Sequence, residues 1–538
     1  MEKRTIIAIL LSIGVMYAYS FIFPPAKQVP PAGSAKQVAV SSATVAAAPQ
    51  AAPATAPGAP TAPIAVPAQP AGAARDITVD TDLYSAVFST QGAGLKKFVL
   101  KKYKDVAGPK GQDIVLVNET AANRFNLLND SRELGLNPTA LYNVGGSDLK
   151  LTGTNKGTLE FTTTTPQGVV FKKTYTFTGD AYRIGLTEQV QNAGSAQVAA
   201  PVHLLQTSRV IDQKAGGGRY EVYGPSTLTD NAVKSEKLDS LLKTPVQFDK
   251  NIVWSAFADK YFMESVIAEK GSIAQVRLSR PSVDANLRDI VSPTVTVAPG
   301  QSAAVNYTLY YGPKDLDILK AQGSRLEEVI DYGWFAPIAK PLVVFLKFLY
   351  KYTGNYGIAI IVITCLLKLV FFPLTHKSYK SMKDMQKLQP KMNELKEKYK
   401  NDRDAMNRAV MELYKTHKVN PLGGCLPMLV QIPVFFGLYR ALMYSIELRH
   451  APFYLWITDL SAKDPYYVTP LIMGATMFIQ QKMTPTNMDP VQAKMMLMLP
   501  VVFTFMFLNF PSGLVIYWLV NNVLTIAQQM YINKSVAD

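Results

Sequence analysis

The run YGIAIIVITCLLKLVFFPLT, Tyr356 to Thr375, constrains this chain more than any other stretch. About 20 apolar residues at a rise of about 1.5 Å each span a hydrocarbon core of about 30 Å, so the spacing predicts a membrane-crossing helix over 355–375. Lys368 interrupts the run, and no carboxylate shares the helix. A lysine at the centre of a membrane helix costs about 2.5–3.5 kcal/mol on insertion scales, which marks it as functional by default. Thr364 lies one turn before Lys368, on the same face. Such a polar stripe calls for protein or water beside it rather than lipid. Pro373 closes the same end, so an ammonium there can also snorkel to cytoplasmic headgroups, and the two readings stand side by side.

The rest of the chain sorts around that helix. Apolar residues crowd the first 23 positions and the last 200 or so of 538, and the region between reads as water-exposed. The net charge of +15 marks cytoplasmic loops in a membrane protein and offers a surface to anionic lipid or RNA. Two cysteines, Cys365 and Cys425, form no CxxC site, which excludes a disulfide framework and cysteine-based metal chemistry.

Residues 1–23 carry Lys3 and Arg4 ahead of TIIAILLSIGVMYAYSFIF. This run is longer than the 7–15 residues of a signal-peptide core and ends in FPP without a small-residue cleavage site, so it predicts an uncleaved signal-anchor helix. Residues 24–74 are almost all Ala, Pro, Val, Gln and Ser, a tether that cannot bury a core. Over 75–320 the pattern switches to period two. LEFTTTTPQGVVFKKTYTFTG, from Leu159, alternates around a Pro-Gln-Gly turn, and TVTVAPGQSAAVNYTLYYG, from Thr294, repeats the design around Pro299 and Gly300. These runs predict an exported antiparallel β-sandwich. Its scattered carboxylates and lone His203 favour binding or scaffolding over catalysis.

Residues 326–352 place Lys340, Lys347 and Lys351 on one stripe of an amphipathic helix, with Trp334 and tyrosines at headgroup level, which reads as a helix lying in the interface. Residues 376–419 hold twelve Lys/Arg against six acids, with apolar positions stepping by three or four on both sides of Asn401-Asp402. That pattern predicts a cytoplasmic helical hairpin with a thin, Met-rich seam. Four more apolar segments follow at 421–444, 467–481, 495–510 and 514–532; the middle two are short for full spans and suggest a locally thinned bilayer. Alternating from an exported sandwich, the charges put both termini in the cytoplasm. The expected fold class is a multi-domain membrane protein: a signal-anchor helix, an exported antiparallel β-sandwich, and a five-helix transmembrane core with a cytoplasmic helical hairpin.

The motifs FFPLT (from Phe371), NPLGGCLPMLVQIPVFFGLY (from Asn420), LWITDLSAKDPYY (from Leu455) and FPSGLVIYWLVNN (from Phe510), in this order, resemble the YidC family of membrane protein insertases in its Gram-negative bacterial form. The resemblance covers essentially the whole chain. It implies an inner-membrane location and five core helices around a hydrophilic groove, open to cytoplasm and lipid and closed to the outside. By position, the groove's polar set is Thr364, Lys368 and Gln431, with Asn521 and Tyr517, four apart on the last helix, facing them; the contacts for a substrate helix are Phe435, Met473, Tyr517 and Trp518. The family's groove cation is usually arginine, so Lys368 is a departure: a flexible point charge replaces a rigid bidentate fork. The implied partners are nascent inner-membrane proteins, the Sec translocon, membrane lipids and a translating ribosome. The last is bound weakly, because the tail after Ile532 holds one cation, Lys534.

Other functions fare worse. An intramembrane protease needs a Ser–His pair, two Asp residues or a metal set within spans, and none of the four histidines lies in one. A solute transporter or channel, the main alternative, predicts inverted repeats and paired intramembrane charges. The residues imply no enzyme, catalytic residue, metal or cofactor. An insertase and a chaperone for inserted proteins share the same surface.

Overall fold

The computed structural model describes residues 73–210, 223–269, 271–399, 402–417, 419, 426–483 and 490–535. The expected anchor helix and nearly all of the tether lie outside the described residues, as does Cys425.

Alternation produces strands where it was strongest. Lys156–Thr164 and Val169–Thr178 pair as an antiparallel hairpin, with Gly168 at φ 78° in the turn, where only glycine is unstrained. The second proline-glycine stretch behaves differently. Its arms enter different sheets: Val295–Val297 pairs with Val198–Ala200, while Ser302–Pro313 pairs with Arg183–Asn192 and Phe262–Ala268. Pro299–Gly300 is therefore a corner between sheets rather than a hairpin turn.

The β region is built on a nine-stranded sheet whose centre is Phe262–Ala268, Ser302–Pro313, Arg183–Asn192 and Val169–Thr178. Two five-stranded sheets cover one face of it. Phe88 of one lies 4.6 Å from Tyr175, ring to ring, and Gln206 of the other donates to the Tyr311 hydroxyl at 2.8 Å. The pairing is antiparallel except for one short parallel ladder, Val79–Asp80 against Leu149–Lys150.

The core face also carries charge. Lys173 and Glu188 sit opposite each other in register, both fully buried, 3.6 Å apart. Lys173 donates to the Leu127 carbonyl and, at 2.8 Å, to Asn129 Oδ1; Asn129 donates in turn to Glu188 at 2.8 Å. Burial pushes the Lys173 ammonium down to about 8 against the attraction of Glu188, and the same burial pushes the Glu188 carboxyl up.

The helical part begins with α1, Ala336–Thr353, which buries Ala339, Val343 and Leu346. It ends at Gly354, in the left-handed region at φ 62°, whose N–H returns to the Tyr350 carbonyl at 2.8 Å. Lys347 corrects the sequence reading. It does not share a headgroup-facing stripe with Lys340 and Lys351 but turns to three carboxylates, Asp315 at 3.2 Å, Asp317 at 2.6 Å and Glu447 at 3.0 Å. One ammonium thus ties the end of the β region, α1 and the loop before 465. Lys347→Ala is expected to destabilise this junction by about 1–3 kcal/mol, less than a fully buried pair because Asp317 remains wet. Hydrogen exchange over 315–322 and 446–448 should then speed up while the sheet centre stays protected.

Helix α2, Tyr356–Lys387, is capped by Asn355, whose side chain accepts from Ile358 N at 3.2 Å. The expected stop at Thr375 does not occur. The helix continues through Pro373, and Thr375 donates to the Phe371 carbonyl at 2.9 Å in the loosened turn. The hairpin is accordingly shorter: α3, Gln389–Lys398, opens at Pro390, and α4, Arg403–Thr416, is capped by Asp402. Met382 and Met385 lie on α2 and not in the hairpin. Its seam has Leu388 and Met392 buried, with the Tyr414 hydroxyl on the Met392 sulfur at 3.3 Å.

The remaining helices are α5, Leu426–Tyr444; α6, Val468–Met483; α7, Pro490–Phe507; and α8, Ser512–Ser535. Helix α8 packs on α2 and α6, α7 packs on α6, and α1 packs on α5. The α5–α6 loop is pinned onto the first turn of α8: Ser512 N donates to the Ala462 carbonyl at 2.7 Å and Gly513 N to the Leu460 carbonyl at 2.9 Å. Gly357 is required where the Phe453 ring crosses α2, because a Cβ there would sit 2.0 Å from that ring. Among the described residues, Gly333–Thr353 and Tyr356–Lys387 are long and apolar enough to cross a membrane. Apolar side chains also face outward: Leu369 and Val370 on α2, Leu471 on α6, and Val502 and Phe505 on α7 are exposed. A surface of this kind belongs in lipid or against a partner.

Candidate functional site

Lys368 lies on the side of α2 that faces α5 and α8, half-buried beside a cavity of about 20 Å³. That is space for about one water. Thr364, Lys368 and Thr375 of α2, Gln431 of α5, and Tyr517 and Asn521 of α8 line it. Four of these are the residues the sequence reading grouped as a polar set, contributed by three helices. Their local geometry follows from helical periodicity. Thr364 is buried and donates to its own helix at the Ile360 carbonyl, 2.6 Å away, which satisfies its proton. Gln431 Nε2 donates across the gap to Asn521 Oδ1 at 3.1 Å.

The ammonium reaches across to the neighbouring helix α8. It donates to Thr525 Oγ1 on α8 at 2.7 Å. Thr525 was missed by the sequence reading. Its signal was present in the spacing: Tyr517, Asn521 and Thr525 recur every four residues, one stripe on one helix. Gln528 and Gln529, also buried, prolong the polar character toward the end of α8. Among the described residues the partner recorded for Lys368 is the Thr525 hydroxyl, and none of their carboxylates pairs with it. A half-buried cation beside a small polar cavity attracts anions.

The apolar set divides. Phe435 and Trp518 meet edge to face at 4.8 Å and are partly exposed, whereas Tyr517, 6.2 Å from Phe435, is buried. Met473 is 0% exposed and packs inside the helix bundle. It therefore holds helices together in this conformation rather than lining a surface. Among the described residues no cluster of His, Cys, Asp or Glu is arranged to hold a metal ion.

Comparison with known proteins bears on the whole chain. A family model described as "60Kd inner membrane protein" matches residues 348–538, and one described as "YidC periplasmic domain" matches 76–345. "Membrane protein insertase YidC" of Citrifermentans bemidjiense is 77% identical over 553 aligned positions, covering 100% of both chains. The protein of the same name from Geotalea uraniireducens is 62% identical over 99% of each. A solved structure titled "Active YidC insertase crystal structure with the first transmembrane domain resolved" covers 84% of this chain and 91% of its own, at 19% identity and a TM-score of 0.36, too low to carry weight. Two family models that together run from the first strand to the last residue, and relatives alike from end to end, lead to one assignment: the chain belongs to the YidC family of membrane protein insertases.

Proposed function

We propose that the cavity at Lys368 is the floor of a groove through which this inner-membrane insertase moves the polar tail of a nascent membrane protein, working alone or with the Sec translocon. The observation that carries the reading is the Lys368 cation, held among Thr364, Gln431 and Asn521 on three different helices. A polar tail meets its barrier in the low-dielectric slab. A watered, cationic recess shortens that slab and holds the tail's negative charge briefly, while the adjoining hydrophobic segment partitions into lipid along Phe435 and Trp518. Met473 and Tyr517 join that contact path only when the bundle opens.

In this reading α2, α5, α6, α7 and α8 cross the membrane, α1 lies in the interface, and the α3–α4 hairpin is cytoplasmic with both termini. The periplasmic β region serves as a scaffold or binding module. No step makes or breaks a covalent bond, so the protein acts as a non-enzymatic catalyst of insertion and as a chaperone, with translating ribosomes as weakly bound partners. Photo-crosslinking in the full-length protein tests the path. Probes at Phe435 and Trp518 should label a stalled nascent single-span protein well above a probe at Val106 in the β region. Equal labelling from all three positions sinks the proposal.

A further inference from the structure

We infer that Thr525 is the positioning residue for Lys368, fixing the groove cation where a substrate carboxylate meets it; this rests on the groove reading above. A threonine hydroxyl has one proton and two lone pairs. The proton of Thr525 is already committed to the Asn521 carbonyl of its own helix, at 2.6 Å. Toward Lys368, 2.7 Å away, the oxygen can therefore only accept, and what it accepts is the ammonium. Thr525 is itself buried, so water does not compete freely for that lone pair. The carbonyl that fixes the hydroxyl belongs to Asn521, whose side chain receives the bond from Gln431 on α5 at 3.1 Å. Asn521 thus receives two hydrogen-bonded arms, one from Lys368 of α2 by way of Thr525 and one from Gln431 of α5.

This arrangement answers a problem specific to lysine. A guanidinium is a stiff fork, whereas an ammonium sits on a four-carbon stem with freely rotating donors and no preferred direction. Thr525 uses one of the three N–H donors and directs the other two; among the described residues no further protein acceptor is recorded for them. The ligand that matches two N–H donors and a full positive charge is a single carboxylate of a passing segment. The specificity predicted is for acidic residues in the translocated tail.

The test uses the full-length protein in proteoliposomes and a single-span substrate made with an acidic tail or with a tail of glutamines. Thr525→Val keeps shape and removes the acceptor; it should lower acidic-tail insertion about threefold to tenfold relative to the glutamine tail. Thr525→Ser should restore the ratio. An unchanged ratio for Thr525→Val, an equal fall with both tails, or a Thr525→Ser variant as impaired as the valine one would each overturn the inference. Lys368→Ala run alongside separates the causes. If it loses acidic-tail selectivity while Thr525→Val keeps it, positioning alone is wrong; if it also keeps it, the electrostatic groove falls and this inference with it.

Discussion

Lys368→Glu is expected to cut insertion of acidic-tailed single-span substrates about tenfold or more, with Lys368→Ala intermediate and Lys368→Arg close to the parent. The magnitude follows from the site. Two unit charges about 4 Å apart attract by about 1 kcal/mol in bulk water and about 4 kcal/mol at an effective dielectric constant of about 20. A half-buried ammonium beside a cavity that holds about one water lies between those limits. Removing the attraction costs a factor set by that energy, and reversing the charge adds repulsion of similar size. The effect should follow the tail's charge, so insertion of a glutamine-tailed substrate changes little. It should also persist at salt concentrations that screen exposed charges, because a partly buried pair is screened less. The measurement is the protected fraction of each substrate in proteoliposomes across a salt series. Unchanged acidic-tail insertion in the glutamate variant would remove the electrostatic role while leaving the apolar path intact.

The largest stability effect is expected far from the groove. Lys173→Met should destabilise the β region by about 3–5 kcal/mol, because it strands Glu188 as an unpaired charge in the core. Glu188 is fully buried, one carboxylate oxygen already has no partner, and the Asn129 bond alone would remain on the other. Changing both partners to methionine should recover more than half of the loss, since well-packed apolar residues replace buried ion pairs at little cost. Urea unfolding of the full-length protein in detergent, followed by hydrogen exchange over Val169–Thr178 and Arg183–Asn192, reads the difference. A double variant as unstable as the single one would show that the pair stabilises through packing and not through charge compensation. The two predictions are opposite uses of one residue type. Lys173 is paired with a carboxylate in register, whereas among the described residues Lys368 has none, and in the proposed function a substrate supplies it.

What could be read from the chain and what could not divides along the range of the interactions. The run from Tyr356, the apolar spacing of the later helices and the alternation of Val169–Thr178 are local signals, set by side-chain periods of 3.6 and 2. They identified the helices and the strand-rich middle; it was the family resemblance carried by the motifs, not the periods, that put Thr364, Lys368, Gln431 and Asn521 on one list. Helix ends were less legible. Nothing local shows that α2 runs on through Pro373, because a proline inside a helix costs one hydrogen bond and a clash that surrounding contacts can offset.

By itself, then, the sequence determined that this chain has an apolar helical part with a costly cation, Lys368, in its first long run, a β region ahead of it, and membership of an insertase family. Only the tertiary structure decided where the charges point. It turned Lys347 from a lipid-facing stripe onto three carboxylates, sent the two arms beside Pro299–Gly300 into different sheets, buried Met473, and set Lys368 on Thr525 across 157 residues of chain. The reason is physical: a period fixes which face a residue occupies on its own element, but its partner depends on which elements pack there. The spacing of Tyr517, Asn521 and Thr525 shows a stripe on one helix, but nothing local says that Lys368 packs against it.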